Sequence, residues 1–506
     1  MNISNTLKTL INAFANEPYQ HVIAKIFRRV KKSVNPPYIH YKTVDSILSK
    51  HLKQDRSISF DFIVSFITPV FNPSSEHLNE TIGSVLNQTA DNWELCIHDD
   101  ASNEEIKEIL QNYEKRDSRV KLSLGNQNKG IVHASNKAIR LAKGQYIAFL
   151  DHDDCIHPDT VRLISSTIQS DNSIKLLFTN EDSINIDGFV ESKLDKLPFG
   201  HQTLRSVNYI NHLTIIQKKL GDKLGWLRND YEGAQDYDLL LRATESLKSE
   251  WITLIPKTLY HWRMTDTSIS KHAWAKKYVQ ESAKKALNAH LKRIGTNIKC
   301  TTGKKSGTFD LVTVFENEPF ILIDIQIDSY NEYNLTLQSF IQNTSYTNFK
   351  INKQEYWDNL PSHLKDSGLF IDKITVDKDH NVYFICVITE SLQFPQRNWL
   401  KNLMTYNQIN KNSIIAPLII NSTNKIYCDG LFYIDKKLSN LYKDKNKNNL
   451  LDYFSGITKE VNGIYNICYI CANTVLDTYN TIVVCSLSEV KLITNVDTDY
   501  SIIVVK

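Results

Sequence analysis

Apolar residues follow two different periods along the first half of the chain. Short apolar runs predict buried strands at 63–67, 93–98, 120–124 and 146–150. Between them, apolar residues at helical spacing predict helices at 78–86, 106–113 and 131–142. This alternation of strand and helix predicts an α/β fold, with a mostly parallel, twisted sheet flanked by helices. In such a sheet, ligands bind beyond the carboxyl ends of the strands.

The same patterns divide the chain of 506 residues, which is longer than one typical domain, into four parts. We predict an N-terminal basic helical extension, a main α/β domain, a helical linker and a second α/β domain, at residues 1–58, 59–270, 271–309 and 310–506.

The N-terminal extension carries a basic cluster that has two interpretations. Arg28, Arg29, Lys31 and Lys32 follow residues with helical spacing, before Pro36 and Pro37 break the pattern. The helices either pack on the next domain with the cluster in solvent, or bind an anionic membrane surface through it. The shortness of the cluster favours packing.

Composition narrows the classes of protein. Hydrophobic residues make up 42% of the chain and charged ones 23%, as in a globular protein. A net charge of +3 gives no support for nucleic-acid binding. The lone C-x-x-C pair, Cys468 and Cys471, lacks the second pair that a zinc site of this type requires. We find no signal peptide and no apolar run that could span a bilayer, so we expect a cytoplasmic protein.

The stretch FLDHDDCIHPD, residues 149–159, follows a predicted buried strand. Its first three carboxylates lie within four positions, where they repel one another unless a cation lies between them. Asp151 and Asp153 are alternate residues of an extended segment, so they point the same way. Such oxygen ligands suit Mn²⁺ or Mg²⁺. An ordinary acidic turn is the other interpretation, and we expect Asp159 to cap the next helix.

Further motifs surround this stretch in a fixed order. They read VSFITPVFN, SVLNQT, HDDAS, GQYIAFLDHDD, YEGAQDYDLLLR and LYHWR, at residues 64–72, 84–89, 98–102, 144–154, 231–242 and 259–263. Together they resemble the successive motifs of family 2 glycosyltransferases with the GT-A fold. The resemblance runs from Phe62 to Ser270 and is closest to bacterial enzymes that build surface polysaccharides.

The resemblance implies roles on the side of the sugar donor. Residues expected to line the nucleobase pocket are Thr68, Pro69 and Phe71, and the base would be hydrogen-bonded by Asp100 with Asp99. The DxD pair, which contacts the donor nucleotide and holds Mn²⁺ or Mg²⁺, would be Asp151 and Asp153, with His261 as a further metal or diphosphate ligand.

The resemblance also implies a proton acceptor. Asp236 matches the aspartate that takes the proton of the acceptor hydroxyl, a general-base role. Gln235 stands where the family commonly has Glu. Five residues are second-tier candidates for the site: Glu181, Asp182, Gln235, Arg242 and Arg263. Of these, the two arginines would meet phosphate or shape the site.

The activity implied is that of a metal-dependent, inverting glycosyltransferase. It would move a sugar from a nucleotide sugar, most commonly a UDP-sugar, to a glycan or lipid-linked glycan in O-antigen, lipopolysaccharide or capsule synthesis. Peripheral contact with the cytoplasmic face of the inner membrane would agree with a basic N-terminus. A non-catalytic scaffold or assembly subunit of the same fold is the alternative, and the retained acidic residues disfavour it.

The second α/β domain begins with strand–helix–strand patterns like those of the first, at 320–327, 335–342 and 346–351. Where the DxD pair would stand, residues 387–393 read VITESLQ, without an acidic pair. The domain is therefore either a degenerate GT-A-like copy, used for packing, acceptor binding or assembly, or an unrelated α/β domain.

Overall fold

The structure is a computed structural model that describes residues 39–51, 60–265, 273–303 and 305–371, and beyond them only helix and strand segments between 384 and 505. The basic cluster at 28–32 and residues 389–393 lie outside the described residues. Among the helices that the structure does describe, none is long and apolar enough to cross a membrane.

A nine-stranded sheet forms the centre of the first domain. Its strands β1 to β9 are Val64–Val70, Trp93–Asp99, Val120–Leu124, Tyr146–Phe149, Cys155–Ile156, Leu176–Ile184, Val190–Leu194, Thr214–Gln217 and Ile252–Arg263. Their order is β3-β2-β1-β4-β8-β6-β9-β5, with β7 paired to β6. The strands from β3 to β4 are parallel, as predicted. Beyond them, β8 runs antiparallel to β4 and β6, and β6 and β9 are parallel again.

Helices cover both faces of this sheet, which confirms the predicted α/β fold. Helices α1 to α8 are Tyr41–His51, Ser75–Leu86, Glu104–Arg116, Ile131–Leu141, Thr160–Ser170, His201–Ser206, Lys218–Leu224 and Gln235–Thr244. Successive residues of β1 point to opposite faces, so Phe66 packs in the core under α2, α3 and α5, whereas Ile67 packs in the core under α4 and α8. Helix α5 begins where predicted, but the Asp159 carboxylate does not cap it and instead accepts hydrogen bonds from Thr89 and Arg162.

Helix α1 docks on the sheet through a buried polar contact. The carboxylate of Asp45 lies 3.1 Å from Nε2 of His261, and Nδ1 of His261 lies 2.7 Å from the carboxylate of Asp182. Burial alone would lower the pKa of His261, but the two carboxylates outweigh it and raise that pKa well above its ordinary value. For the part of the extension that the structure describes, this contact supports packing on the domain.

The predicted linker is a packed part of the structure. Helix α9 is Ala273–Arg293, and the strands of the following hairpin, β10 and β11, are Lys299–Thr302 and Phe309–Val312. Leu287 of α9 is fully buried in the same core as Leu240 of α8. Tyr237 of α8 stacks on Phe309 with ring centroids 6.0 Å apart. One continuous core therefore joins the first domain to the hairpin and to the second domain.

The second domain contains helices α10 to α12, which are Tyr330–Gln342, Ser362–Lys365 and Trp399–Ile409. Its strands β12 to β18 are Ile321–Ile325, Phe349–Asn352, Phe370–Ile371, Phe384–Ile388, Ile415–Pro417, Ile419–Ile420 and Ile426–Cys428. Strands β19 to β25 are Phe432–Ile434, Lys437–Ser439, Lys459–Val461, Ile464–Tyr465, Cys468–Ala472, Val484–Cys485 and Ile502–Val505.

The main sheet of the second domain repeats the plan of the first. Its order is β14-β13-β12-β15-β23-β16-β25-β21. Both sheets start with four parallel strands in the order third, second, first, fourth, and continue with the same sequence of antiparallel and parallel neighbours. Because unrelated α/β domains have no reason to share this order, the topology favours a degenerate copy of the first domain.

We predict that Asp45→Ala lowers the free energy of unfolding by about 3 kcal/mol, because the buried His261 loses one of its two carboxylate partners. Urea denaturation followed by tryptophan fluorescence would measure the loss. Lys42→Ala on the same helix is the control, since Lys42 is 61% exposed in its pair with Glu80 and its loss should cost about 1 kcal/mol or less. Equal losses in the two variants would contradict a special role for Asp45.

Candidate active site

Two carboxylates stand at the carboxyl end of β2, as predicted. One oxygen of Asp100 accepts hydrogen bonds from the backbone N–H groups of Lys129 and Gly130, both at 2.8 Å. One oxygen of Asp99 accepts the N–H of Ser102 at 3.0 Å. The second oxygen of each carboxylate is buried and has no hydrogen-bond partner among the described residues. Both side chains are thus held in place with one acceptor oxygen unused.

The residues predicted for the nucleobase pocket lie at the end of the neighbouring strand, β1. The Thr68 side chain is fully buried, and its hydroxyl has no partner within the described part of the chain. Pro69 pairs with His98 of β2 and lines a cleft. Phe71 is 43% exposed just beyond the strand. Thr68 and Pro69 therefore lie on the strand next to Asp99 and Asp100, and the ring of Phe71 is exposed just beyond the end of β1.

The acidic turn after β4 separates its three carboxylates. Asp154 is buried, and its two oxygens accept hydrogen bonds from the Tyr260 hydroxyl at 2.5 Å and from the Arg263 backbone N–H at 2.7 Å. The guanidinium of Arg263 binds the Asp153 backbone carbonyl at 2.8 Å and the Glu80 carboxylate at 2.6 Å. Arg263 is fully buried and shapes the turn, so the structure does not support a phosphate contact for it.

Asp151 faces the cleft. The Asp151 side chain is 45% exposed. The protein around it is nevertheless dense enough that burial raises the pKa of the Asp151 carboxyl group. The negative charges of Asp153 and Asp236 raise this pKa further, whereas His212 and His152 lower it. Asp151 and Asp236 line the same cleft, so carboxylates from two distant parts of the chain face the same space.

The structure corrects the prediction for His261. Its side chain is fully buried, and both ring nitrogens are bonded to the carboxylates of Asp182 and Asp45. No ring nitrogen is left for a metal or a diphosphate. Asp182, a second-tier candidate, is used in the same contact and is also buried. Successive residues of a strand point to opposite sides, which is why Tyr260 contacts the acidic turn and His261 turns away from it.

His212 occupies the place expected for His261. Its Nε2 lies 4.0 Å from the Asp151 carboxylate, its Nδ1 lies 3.3 Å from the Glu181 carboxylate, and its ring stacks on Tyr260 with centroids 4.9 Å apart. Burial alone would lower the pKa of His212, but Glu181 and Asp151 outweigh it and raise it to about 9. Lys196 lies 3.7 Å from Glu181, and burial lowers the pKa of this lysine to about 8.

Asp236 lies in the first turn of α8, one residue after the helix begins, and is not its N-cap. One oxygen, Oδ2, accepts hydrogen bonds from the side-chain amides of Asn208, at 3.1 Å, and Asn211. Neither amide binds Oδ1, so that oxygen is available to take a proton. The helix N-terminus favours a negative charge at this position.

The other two second-tier residues differ in their placement. Gln235 lines the cleft, and its carbonyl oxygen accepts the Gly233 N–H at 2.7 Å. The guanidinium of Arg242 is buried and binds Asp238 and the carbonyl oxygens of Leu224 and Trp226, so it shapes the fold behind α8 and does not face phosphate.

A cleft brings Asp151, His212, Gln235 and Asp236 together. It is lined by Ile67, Pro69, Ile131, Ser135, Phe149, Asp151, Asn211, His212, Thr214, Ile216, Leu227, Gln235, Asp236, Leu239 and Leu240. Its walls are mainly apolar, and its polar groups come from the ends of β4 and α8 and from the loop before β8. Convergent polar groups in an apolar cleft are typical of a binding or catalytic site.

Comparison with known proteins agrees with this geometry. The sequence model described as Glycosyl transferase family 2 matches residues 65–212. This segment forms a family 2 glycosyltransferase domain. It contains the strand ends, the acidic turn and His212, whereas Asp236 follows it along the chain.

Relatives of the family 2 domain include proteins of bacterial polysaccharide synthesis. An uncharacterized protein of Sinorhizobium fredii is 36% identical over 292 residues, which are 57% of this chain and 32% of that protein. The O-antigen biosynthesis protein RfbC of Myxococcus xanthus is 27% identical over 241 residues, 47% of this chain and 19% of that protein. An Escherichia coli enzyme named UDP-Glc:alpha-D-GlcNAc-diphosphoundecaprenol beta-1,3-glucosyltransferase is 37% identical over 131 residues, 26% of this chain and 50% of that protein. The chain thus matches half or less of the length of each of these relatives.

Sequence reasoning missed His212, Lys196 and the two asparagines that hold Asp236 in the candidate site. The segment 208–213 reads NYINHL and precedes the buried strand β8. Polar residues before a strand are also typical of an ordinary loop, so this signal was weak. Only the packing of β8 between β4 and β6 places the loop beside the acidic turn.

We predict that the ring of His212 titrates near pH 9 and that Glu181→Gln lowers its pKa toward the ordinary 6.5, because Glu181 stabilises the cation. NMR titration of ¹³C-histidine-labelled protein would measure both values, with Glu191→Gln on the exposed face of β7 as the control that leaves the pKa unchanged. Since the folded-state pKa is raised, the stability that His212 contributes is present in full below about pH 6.5 and is lost as the pH rises through about 9. An unchanged pKa in Glu181→Gln would show that the pairing is not formed.

Proposed function

We propose that the protein is a metal-dependent, inverting glycosyltransferase that moves a sugar from a nucleoside-diphosphate sugar to a growing surface glycan. The observation that carries the proposal is the cleft that Asp151 and Asp236 share. One carboxylate belongs to the acidic pair suited to a cation, and the other is held by two amides through Oδ2, which leaves Oδ1 clear of both amides. A transferase needs these two functions side by side.

The donor is proposed to bind along the carboxyl ends of the neighbouring strands β2, β1 and β4. The unpartnered oxygen of Asp100 can accept an N–H of the nucleobase, next to the buried Thr68 hydroxyl. UDP is the proposed nucleotide, because the free carboxylate oxygen matches the imide N–H of uracil and because one relative is named as a UDP-glucose-dependent enzyme. The apolar walls of the cleft would then exclude water from the sugar and the diphosphate.

A divalent cation fits the acidic pair. Asp151 and Asp153 offer oxygen ligands, and Asp154 does not compete because Tyr260 and Arg263 occupy its carboxylate. Burial and neighbouring negative charge raise the pKa of Asp151, because they destabilise its ionised form. A bound cation would stabilise that ionised form. Mn²⁺ or Mg²⁺ would be held by these two aspartates, and when bound it supplies positive charge to a leaving diphosphate.

Asp236 is proposed to act as the general base. Its Oδ1 would take the proton of the acceptor hydroxyl as that oxygen attacks the anomeric carbon of the donor. The nucleoside diphosphate departs from the opposite face of the sugar, so an α-linked donor gives a β-linked product. Asn208 and Asn211 keep the carboxylate oriented throughout by binding Oδ2.

The acceptor is proposed to be a glycan or lipid-linked glycan of the cell surface, assembled at the cytoplasmic face of the inner membrane. The relatives named for O-antigen and lipid-diphosphate-linked glycan synthesis support this class. The second domain, whose sequence lacks the acidic pair, is proposed to bind the acceptor chain or a partner subunit.

We predict that Asp236→Asn lowers the rate of sugar transfer by about 10²- to 10⁴-fold, because it removes the proton acceptor while keeping the side-chain size. The assay is release of nucleoside diphosphate from a panel of UDP-, dTDP- and GDP-sugars, with water or added glycan as acceptor. Calorimetric nucleotide binding should be unchanged. Asp230→Asn, in an exposed turn before the same helix, is the control, and full activity in Asp236→Asn would exclude the general-base role.

We predict that Asp153→Ala abolishes the dependence of nucleotide binding on Mn²⁺, because one oxygen ligand of the acidic pair is lost. The measurement is calorimetric binding of UDP with Mn²⁺ and with a chelator. Asp187→Ala, in the exposed turn between β6 and β7, should retain the metal effect. If wild-type protein binds no nucleotide with Mn²⁺ present, the transferase proposal is wrong and the non-catalytic scaffold takes its place.

A further inference from the structure

A second group of metal-ligating side chains lies at the carboxyl end of β2, apart from the acidic pair. It consists of His98 in the strand, Asp100 just after it, and His133 in the first turn of α4. One ligand atom from each residue lies within 4.8 Å of the other two. The Nδ1 of His133 is 3.7 Å from the Asp100 carboxylate, close to the spacing of two ligands around one small ion.

The ligand atoms of this group are buried and have no hydrogen-bond partner. His98 and Asp100 are only 3% and 2% exposed, respectively. Their atoms Nε2 and Oδ1, together with Nδ1 of His133, are unpartnered among the described residues. Each such buried polar atom costs about 1–3 kcal/mol when nothing binds it. Three of them converging on one point indicate that the space between them is built for a ligand.

The remaining polar atoms of His98 and Asp100 are held by outer partners, as in metal sites. The other ring nitrogen of His98, Nδ1, bonds the Ser123 hydroxyl at 3.0 Å. The other oxygen of Asp100 accepts two backbone N–H groups, from Lys129 and Gly130. Histidine and carboxylate ligands of metals are fixed by outer partners of this kind, which leave the coordinating atom directed at the ion.

We propose that His98, Asp100 and His133 bind a transition-metal ion of the Zn²⁺ type. Two imidazoles and one carboxylate are a ligand set that Zn²⁺ accepts with a fourth position left for water, whereas Mn²⁺ and Mg²⁺ prefer the oxygen ligands of Asp151 and Asp153. His133 is 29% exposed and gives the ion a route from solvent.

Occupancy of this site would block the nucleotide. Asp100 is also the residue proposed to hold the nucleobase, so the ion and the base compete for the same oxygen. This consequence rests on the proposed function, whereas the metal site itself does not. Zn²⁺ would thus act as an inhibitor that competes with the sugar donor.

The test uses the full chain carrying Asp153→Ala, which removes a ligand of the acidic pair, after treatment with chelator. Zn²⁺ binding is measured by calorimetry, and Co²⁺ is used as a probe whose visible absorption reports nitrogen ligands. Adding His133→Gln should weaken Zn²⁺ binding at least about tenfold and remove the Co²⁺ bands. Adding His363→Gln, an exposed histidine of the second domain, should change neither. Absence of Zn²⁺ binding, or equal binding with and without His133, would overturn the site.

Competition is tested with UDP on protein that keeps Asp153. With Zn²⁺ at about ten times its own Kd, mass action should raise the apparent Kd of UDP about tenfold in the wild type, whereas Zn²⁺ should leave the Kd of His133→Gln unchanged. An unchanged Kd in the wild type would overturn the overlap of the two sites. If UDP fails to bind even without Zn²⁺, the proposed function is wrong, while the calorimetric result for Zn²⁺ still decides the metal site.

Discussion

The site depends on how the protein separates three carboxylates that lie within four positions of the acidic turn. Left together they would repel one another and would each gain protons. The structure buries Asp154 and satisfies both of its oxygens from β9. Arg263 adds a buried positive charge against the backbone of the turn. Burial, and then the charges of Asp153 and Asp151, raise the pKa of Asp154 well above its ordinary value, so Asp154 adds little negative charge beside Asp151 at the cleft.

Strand β9 links this turn to the rest of the domain because its side chains alternate in direction. Tyr260 points to the acidic turn and also supports the ring of His212. His261 points the other way and fastens α1 through Asp45. The stretch LYHWR at residues 259–263 therefore carries mostly structural residues in this chain. This stretch affects the chemistry indirectly, because it holds the acidic turn and the ring of His212 in place.

The two domains share a sheet topology but differ in the carboxylate groups at their strand ends. Their main sheets share the order of parallel and antiparallel neighbours. In the first domain, Asp99 and Asp100 each keep one buried oxygen that has no partner within the described part of the chain. In the second, the carboxylate of Asp324 at the end of β12 accepts hydrogen bonds from the side-chain amides of Gln326 and Asn352. Both carboxylate oxygens of Asp324 are therefore already hydrogen-bonded within the domain, unlike those of Asp99 and Asp100.

The sequence by itself determined the α/β fold, the placement of both acidic pairs at strand ends, and the position of Asp236 at the start of a helix. These follow from short-range periodicity and from motifs whose spacing is fixed along the chain. Only the tertiary structure decided which side chains face the cleft. Four predicted residues are buried and stabilise the fold: His261, Asp182, Arg242 and Arg263. Three residues that were not predicted reach the site from the loop before β8: His212, Asn208 and Asn211. The physical reason is that strand pairing and the direction of each side chain depend on neighbours far away along the chain, and no local pattern encodes them.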